Sequence, residues 1–177
     1  GNLKKVSLEL GGKSPLIIFA DSDLNNAVSA AIMANFYTQG EICSNGTRVF
    51  VESSILDQFI HALTQRVNKM TVGNPLDPST HVGAMINAEH AEKVRNYIHL
   101  GKQEGAKQIC GGAEILGSLA KEGLDPKAFV QPTIFSDCRD EMKIVTDEIF
   151  GPVMSILHFN SEDEVIERAN SCDYGLA

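Results

Sequence analysis

Tryptophan is missing from this 177-residue chain, tyrosine occurs only three times, and aromatic residues make up 6% of it. A pocket that held a cation between aromatic faces would find few rings here. No stretch of eighteen apolar residues occurs, which leaves no sequence for a membrane-spanning helix, and the N-terminus lacks a signal-peptide layout. Lysine and arginine never cluster and the net charge is −8, a balance that does not suit nucleic acid. The four cysteines, Cys43, Cys110, Cys138 and Cys172, form no C-x-x-C pair, so neither a zinc site nor a thioredoxin motif is indicated. Scattered thiols of this kind suit a reducing cytoplasm. There is no G-x-G-x-x-G and so no dinucleotide fingerprint, no internal repeat and no low-complexity segment. What remains, with 43% hydrophobic residues, is ample for one domain with a real core.

Helix and strand patterns alternate along that chain. Leu16 to Ala20 reads as a strand. Leu24, Ala27, Val28, Ala31, Ile32 and Phe36 recur at the spacing of one buried helix face. Asp21, Ser22 and Asp23 offer N-caps, and Gly40 offers a stop. Val49 to Val51 is a short β-branched and aromatic strand. Helices are expected from about Ser54 to Met70 and from Ala88 to Glu104, the second closed by Gly105. Lys107 to Cys110 is a strand, and residues 113–128 have no period and read as a surface excursion. Phe129 to Phe135 is extended, with Pro132 marking an edge or irregular strand. Val153 to Phe159 is nearly continuous apolar strand, and Ser161-x-x-Glu164 is a capping box opening the last helix. The pattern predicts an α/β three-layer sandwich with a mostly parallel sheet.

Two stretches carry chemistry. Cys43 lies in the turn Gly40-Glu-Ile-Cys43-Ser-Asn-Gly46, flanked by glycines that let backbone approach a ligand. Most free cysteines are small buried hydrophobes, and that plain alternative stands for Cys110, Cys138 and Cys172. The second stretch is Val6-Ser-Leu-Glu9-Leu10-Gly11-Gly12-Lys13-Ser-Pro15. An isolated glutamate in an apolar run is expected to be buried, and burial makes a carboxylate a usable base near neutral pH. A strand leads away from Glu9 at about 3.3 Å per residue, and a helix of about thirteen residues returns the chain by about 20 Å. Glu9 and Cys43 can therefore meet near one end of a sheet. The five histidines read as surface or helix-face residues.

Leu8-Glu-Leu-Gly-Gly-Lys-Ser-Pro15, then Gly40-x-x-Cys43-x-x-Gly46-x-Arg48, then Glu148-Ile-Phe-Gly-Pro-Val153 resemble three signatures of the aldehyde dehydrogenase superfamily, in the family's order. Gly73-Asn-Pro-Leu-Asp-Pro78 and Gly101-Lys-Gln-Glu-Gly105 extend the resemblance over essentially the whole chain. Met33-Ala-Asn-Phe36, Cys43 to Val51, Pro152 to Leu157 and Ser161 to Val165 are most similar to the bacterial betaine aldehyde dehydrogenases. The family usually has glutamine where Glu41 stands. A carboxylate two residues from the nucleophile disfavours thiolate if it points inward, and it is expected to point outward.

The resemblance implies the catalytic domain of an aldehyde dehydrogenase fold over residues 1–177. The cofactor-binding domain before it and the oligomerisation segment after it are absent, since family members are well over twice this length. It implies NAD(P)-dependent oxidation of an aldehyde, betaine aldehyde to glycine betaine, in a cytoplasmic homo-oligomer, dimer or tetramer. Cys43 is implied as the nucleophile and Glu9 as the base that hydrolyses the thioester. Glu148 is implied as a partner of the nicotinamide ribose hydroxyls, Phe150 as packing near the nicotinamide, and Leu10 as a backbone contact to its amide. The Leu3 carbonyl is implied as one ligand of a monovalent cation such as K+. A second oxyanion donor and any aromatic cage would come from outside this chain. Alternatives are another ω-amino or aliphatic aldehyde as substrate, a CoA-acylating enzyme (which Glu9 disfavours), a non-catalytic structural relative (which Cys43 disfavours) and a cysteine hydrolase.

Overall fold

Successive residues of a strand face opposite sides of a sheet, and that rule sorts the core of this protein into two layers. A computed structural model describes residues 3–176. Its strands are β1 (Pro15–Ile18), β2 (Arg48–Glu52), β3 (Lys107–Cys110), β4 (Thr133–Ser136) and β5 (Val153–Phe159). They form one sheet in the order β1-β2-β5-β4-β3. All neighbours are parallel except β3 and β4. Phe50, Phe135, Val153, Leu157 and Phe159 point into one layer, together with Ala91, Val94 and Ile98 of helix α3 (Ala88–Gln103) and Val165 of helix α4 (Glu162–Asn170). Val49, Val51, Ile134, Met154 and Ile156 point into the other, against Val28, Ala31 and Phe36 of helix α1 (Leu24–Phe36) and Phe59 and Leu63 of helix α2 (Leu56–Val67). This is the expected three-layer α/β/α arrangement.

Local chemistry sets the ends of the elements. Asp23 caps α1 by accepting from the Asn26 N–H at 2.8 Å, and Asn87 caps α3 by accepting from the His90 N–H at 2.7 Å. In the α4 box the Glu164 N–H donates to Ser161 Oγ at 3.3 Å while the Glu164 carboxylate accepts from the Asn160 N–H at 2.9 Å. Two expectations change. The strand after Pro132 is not an edge: β4 lies between β5 and β3, and Pro132 stands just before its first residue, where its missing N–H breaks no ladder bond. The apolar run expected to bury Glu9 does not do so: residues 3–10 run irregular and exposed. Their apolar side chains find no facing surface among the described residues, and Leu8 and Leu10 remain 71% and 58% exposed.

Register then positions the loops. Pro15 pairs with Arg48, and Arg48 with Ser155, so β1 and β2 begin level, with β5 starting slightly ahead of them at Val153. The segments entering them, Leu10–Ser14, Glu41–Thr47 and Asp147–Pro152, therefore gather at the amino ends of the strands. Open α/β sheets more often place ligands at the carboxyl ends.

Candidate active site

Cys43 is held by a loop whose shape is built into the end of α1. The helix stops at Phe36, and Thr38, Gln39 and Gly40 follow with φ of 49°, 56° and 76°. A run of left-handed residues is costly for side chains with a Cβ, so their neighbours must hold them. Gln39 Oε1 accepts from the Gly83 N–H at 3.2 Å. The buried Asn35 donates from Nδ2 to the Ala31 and Gly46 carbonyls at 2.9 and 3.1 Å, tying the far side of the loop back to the helix. Cys43 itself is half-buried in a turn. Among the described residues no acceptor pairs with its backbone N–H.

The glycine pair is the meeting point. A Cβ on Gly12 would collide with the Cys43 carbonyl, and a Cβ on Gly11 would collide with the Glu148 carboxylate. The Gly12 N–H donates to Glu148 Oε1 at 3.1 Å. The Glu148 N–H in turn donates to the Tyr174 hydroxyl at 3.2 Å. The third loop touches the first as well: a Cβ on Gly40 would overlap the Gly151 carbonyl. Three segments far apart in sequence thus interlock through backbone approaches that only glycine allows.

Below the glycines lie two buried cations. Arg48, 3% exposed, donates to the Lys13 carbonyl at 2.7 Å, the Arg168 carbonyl at 3.2 Å and the Ala169 carbonyl at 2.8 Å. Lys13 is 1% exposed and its Nζ has no hydrogen-bond partner among the described residues. Burial, then the neighbouring Arg48 charge, pulls its amine down to about 7, although Asp147, Cys138 and Glu148 pull the other way. Burial also pushes the Cys110 thiol up to about 11 and the Cys138 thiol up to about 12.

The residues anticipated from sequence fall into two groups. Cys43, Glu148 and Phe150 sit on loops that interlock. Glu9 lies three positions before Gly12, on the exposed strip rather than in an apolar strand. Leu10 borders a cleft of about 400 Å³ shared with Gly11 and Asp173 to Leu176. Leu3 is fully exposed at the start of the strip. Glu41 does not face solvent: its side chain is 12% exposed and its Oε1 accepts from the Ile86 N–H at 3.1 Å. Sequence reasoning missed Asn35, Lys13 and His90 as parts of this site. A lysine directly after two glycines and just ahead of a strand was the one available signal.

The aldehyde dehydrogenase family profile matches residues 1–177, and the chain belongs to that family. It is 53% identical over 175 residues to the betaine aldehyde dehydrogenase of Vibrio vulnificus (strain YJ016), covering 99% of this chain and 35% of that protein. Among solved structures, an indole-3-acetaldehyde dehydrogenase complexed with NAD+ superposes with a TM-score of 0.90 at 42% identity, over 98% of this chain and 34% of that one. The betaine aldehyde dehydrogenase of Staphylococcus aureus in complex with NAD+ gives a TM-score of 0.89 at 38% identity, over 98% and 34%. The chain spans about a third of the length of the curated relatives it matches. No described helix is long and apolar enough to cross a membrane, and no described group of three or more His, Cys, Asp or Glu could hold a metal ion.

Proposed function

We propose that residues 1–177 are the thiol-bearing catalytic part of an NAD(P)-dependent aldehyde dehydrogenase that oxidises betaine aldehyde to glycine betaine. The observation that carries this reading is the convergence of the Cys43 loop, the Gly11-Gly12 pair and the Glu148 carboxylate at the amino ends of three adjacent strands. NAD is favoured over NADP because the two solved relatives above are complexes with NAD+. The scattered thiols favour a cytoplasmic enzyme, and the family resemblance favours a homo-oligomer. A monovalent cation would take the Leu3 carbonyl as one of its ligands.

The residues present fit a dinucleotide. The half-buried Glu148 carboxylate is acceptor-only when ionised and uses Oε1 for the Gly12 N–H, which leaves acceptor capacity for sugar hydroxyls. Phe150 adds a half-buried apolar ring two residues on, and Leu10 offers its backbone beside Gly11. A nicotinamide cofactor, when bound, supplies the hydride acceptor that makes the reaction an oxidation.

The chain's own residues do the rest. As the thiolate, the Cys43 sulfur adds to the aldehyde carbon, forming a C–S bond as the C=O π bond breaks to give a tetrahedral oxyanion. The Cys43 N–H, which has no acceptor among the described residues, is available to donate to that oxygen. Loss of hydride leaves a thioester on Cys43. Glu9 takes a proton from water, the hydroxide attacks the acyl carbon, and the C–S bond breaks to release the acid. Glu9 sits on an exposed strip, so water reaches it freely.

The full-length protein is expected to form NADH from betaine aldehyde. Cys43→Ala lowers turnover by roughly three orders of magnitude or more, while Cys138→Ala leaves it near wild type. Glu9→Gln retains a burst of about one NADH per site and loses steady turnover. Undiminished oxidation by Cys43→Ala would end this reading. A second substrate reading, another ω-amino or aliphatic aldehyde, draws support from the scarcity of aromatic rings that could hold a quaternary ammonium. Comparing kcat/KM across such aldehydes decides between the two.

A further inference from the structure

The Glu148 loop contains an aromatic residue in a conformation it does not choose by itself. Phe150 has φ of 58°, in the left-handed region that a residue with a Cβ adopts only at a cost. Something outside the loop must hold it there. Its carbonyl accepts from Nε2 of His90 at 2.6 Å. Because a carbonyl can only accept, Nε2 carries the proton and the tautomer is fixed. The two rings lie edge to face with centroids 6.1 Å apart.

The same imidazole nitrogen lies 3.8 Å from Glu41 Oε1, and that oxygen is held by the Ile86 N–H at 3.1 Å. His90 is thus in contact with the Cys43 loop on one side and the Glu148 loop on the other. The backbones agree. Gly40 presses on the Gly151 carbonyl, and a Cβ on Gly151 would strike Val94, one turn beyond His90 on α3. The junction is closed, with the His90 and Glu41 side chains only 17% and 12% exposed.

We propose that His90 is a positioning residue that fastens the loop bearing Glu148 and Phe150 to the loop bearing Cys43. It does so by its N–H bond to the Phe150 carbonyl and its approach to the Glu41 carboxylate. Its function in catalysis rests on the reading of these loops given above, whereas the bridge itself can be tested without it.

The test is amide hydrogen exchange, read by mass spectrometry on the full-length protein, over peptides covering residues 40–46 and 148–152. His90→Phe keeps the ring packing and removes the donor; His90→Gln keeps a donor. The Phe variant is expected to exchange about tenfold faster in both peptides, with His90→Gln close to wild type. His90→Ala repeats the donor deletion if the Phe variant does not fold. The Phe variant should also raise KM for NAD+ about tenfold with little change in KM for the aldehyde. Wild-type exchange in both peptides of the Phe or Ala variant overturns the proposal, as does loosening confined to α3. NAD+ titration of the wild-type protein tests the cofactor reading separately: failure to bind removes that reading, and the exchange result still decides the bridge.

Discussion

The backbone N–H of Gly12 donates to a carboxylate oxygen of Glu148 at 3.1 Å, joining residues 136 positions apart in sequence. That bond sits where a side chain at position 12 would strike the Cys43 carbonyl. One peptide group therefore sets the spacing between the thiol loop and the acid proposed to receive the cofactor.

The two glycines should respond differently to alanine. At Gly12 the obstacle is backbone, which cannot step aside, so Gly12→Ala is expected to cost about 1–3 kcal/mol of stability and to abolish turnover. At Gly11 the obstacle is the end of the Glu148 side chain, which can swing away. Gly11→Ala should leave Tm nearly unchanged and weaken NAD+ binding about tenfold. Calorimetric melts and NAD+ titrations of both variants check this; equal melts with equal affinities would contradict it.

The thiols should separate by reactivity. With Cys110 at about 11 and Cys138 at about 12, only about one in a thousand and one in ten thousand are thiolate at pH 8. Iodoacetamide at that pH is expected to label Cys43 and to spare Cys110 and Cys138, as read by peptide mass mapping. The raised thiols also have a sign in stability. The unfolded thiol ionises near its ordinary value of 9, so their contribution is complete below that pH and is lost as the pH climbs toward 11 and 12.

Lys13 gives the opposite slope. Its amine is near 7 in the folded protein and 10.5 when free, so the unfolded chain binds more protons between those values and stability rises with pH through that window. From about pH 7 to 8, below the unfolded thiol value of 9, the thiols are nearly silent and the rise belongs to Lys13. Lys13→Met is expected to gain roughly 1–4 kcal/mol at neutral pH and to flatten the slope. Urea unfolding of both proteins at several pH values is the measurement, and a parallel rise in the variant would rule out Lys13 as its source.

Arg48 answers three carbonyls with one planar head, which a lysine ammonium cannot reproduce. Arg48→Lys should cost about 2–3 kcal/mol and release residues 168–176 to limited proteolysis. Unaltered proteolysis of that segment would show that the clamp is not what retains it.

Much of the fold was legible because its elements are periodic. Val28, Ala31 and Phe36 mark α1 as clearly in sequence as in space, and Asp23 and the Ser161 box mark starts that the hydrogen bonds verify. Pro132 misled because its edge-strand meaning depends on whether it lies inside the strand or one step before it. Glu9 misled for a different reason: an apolar run buries its glutamate only where a partner surface exists, and none covers Val6, Leu8 and Leu10 among the described residues. Cys43 and the glycines were visible as loop chemistry, whereas Asn35 and His90 were not. Their roles come from carbonyls that reach them across the fold, Gly46 for one and Phe150 for the other, and such pairings leave no local pattern.

The shared register of Pro15, Arg48 and Ser155 makes the sheet a ruler for the chemistry. A slip of one residue in any of these strands would carry its loop about 3.3 Å out of place and turn its side chains over into the opposite layer. Val49 and Leu157, which never see solvent, are therefore where alignment of sulfur and acid is guarded, and variants that weaken pairing there should behave as active-site defects without touching the active site.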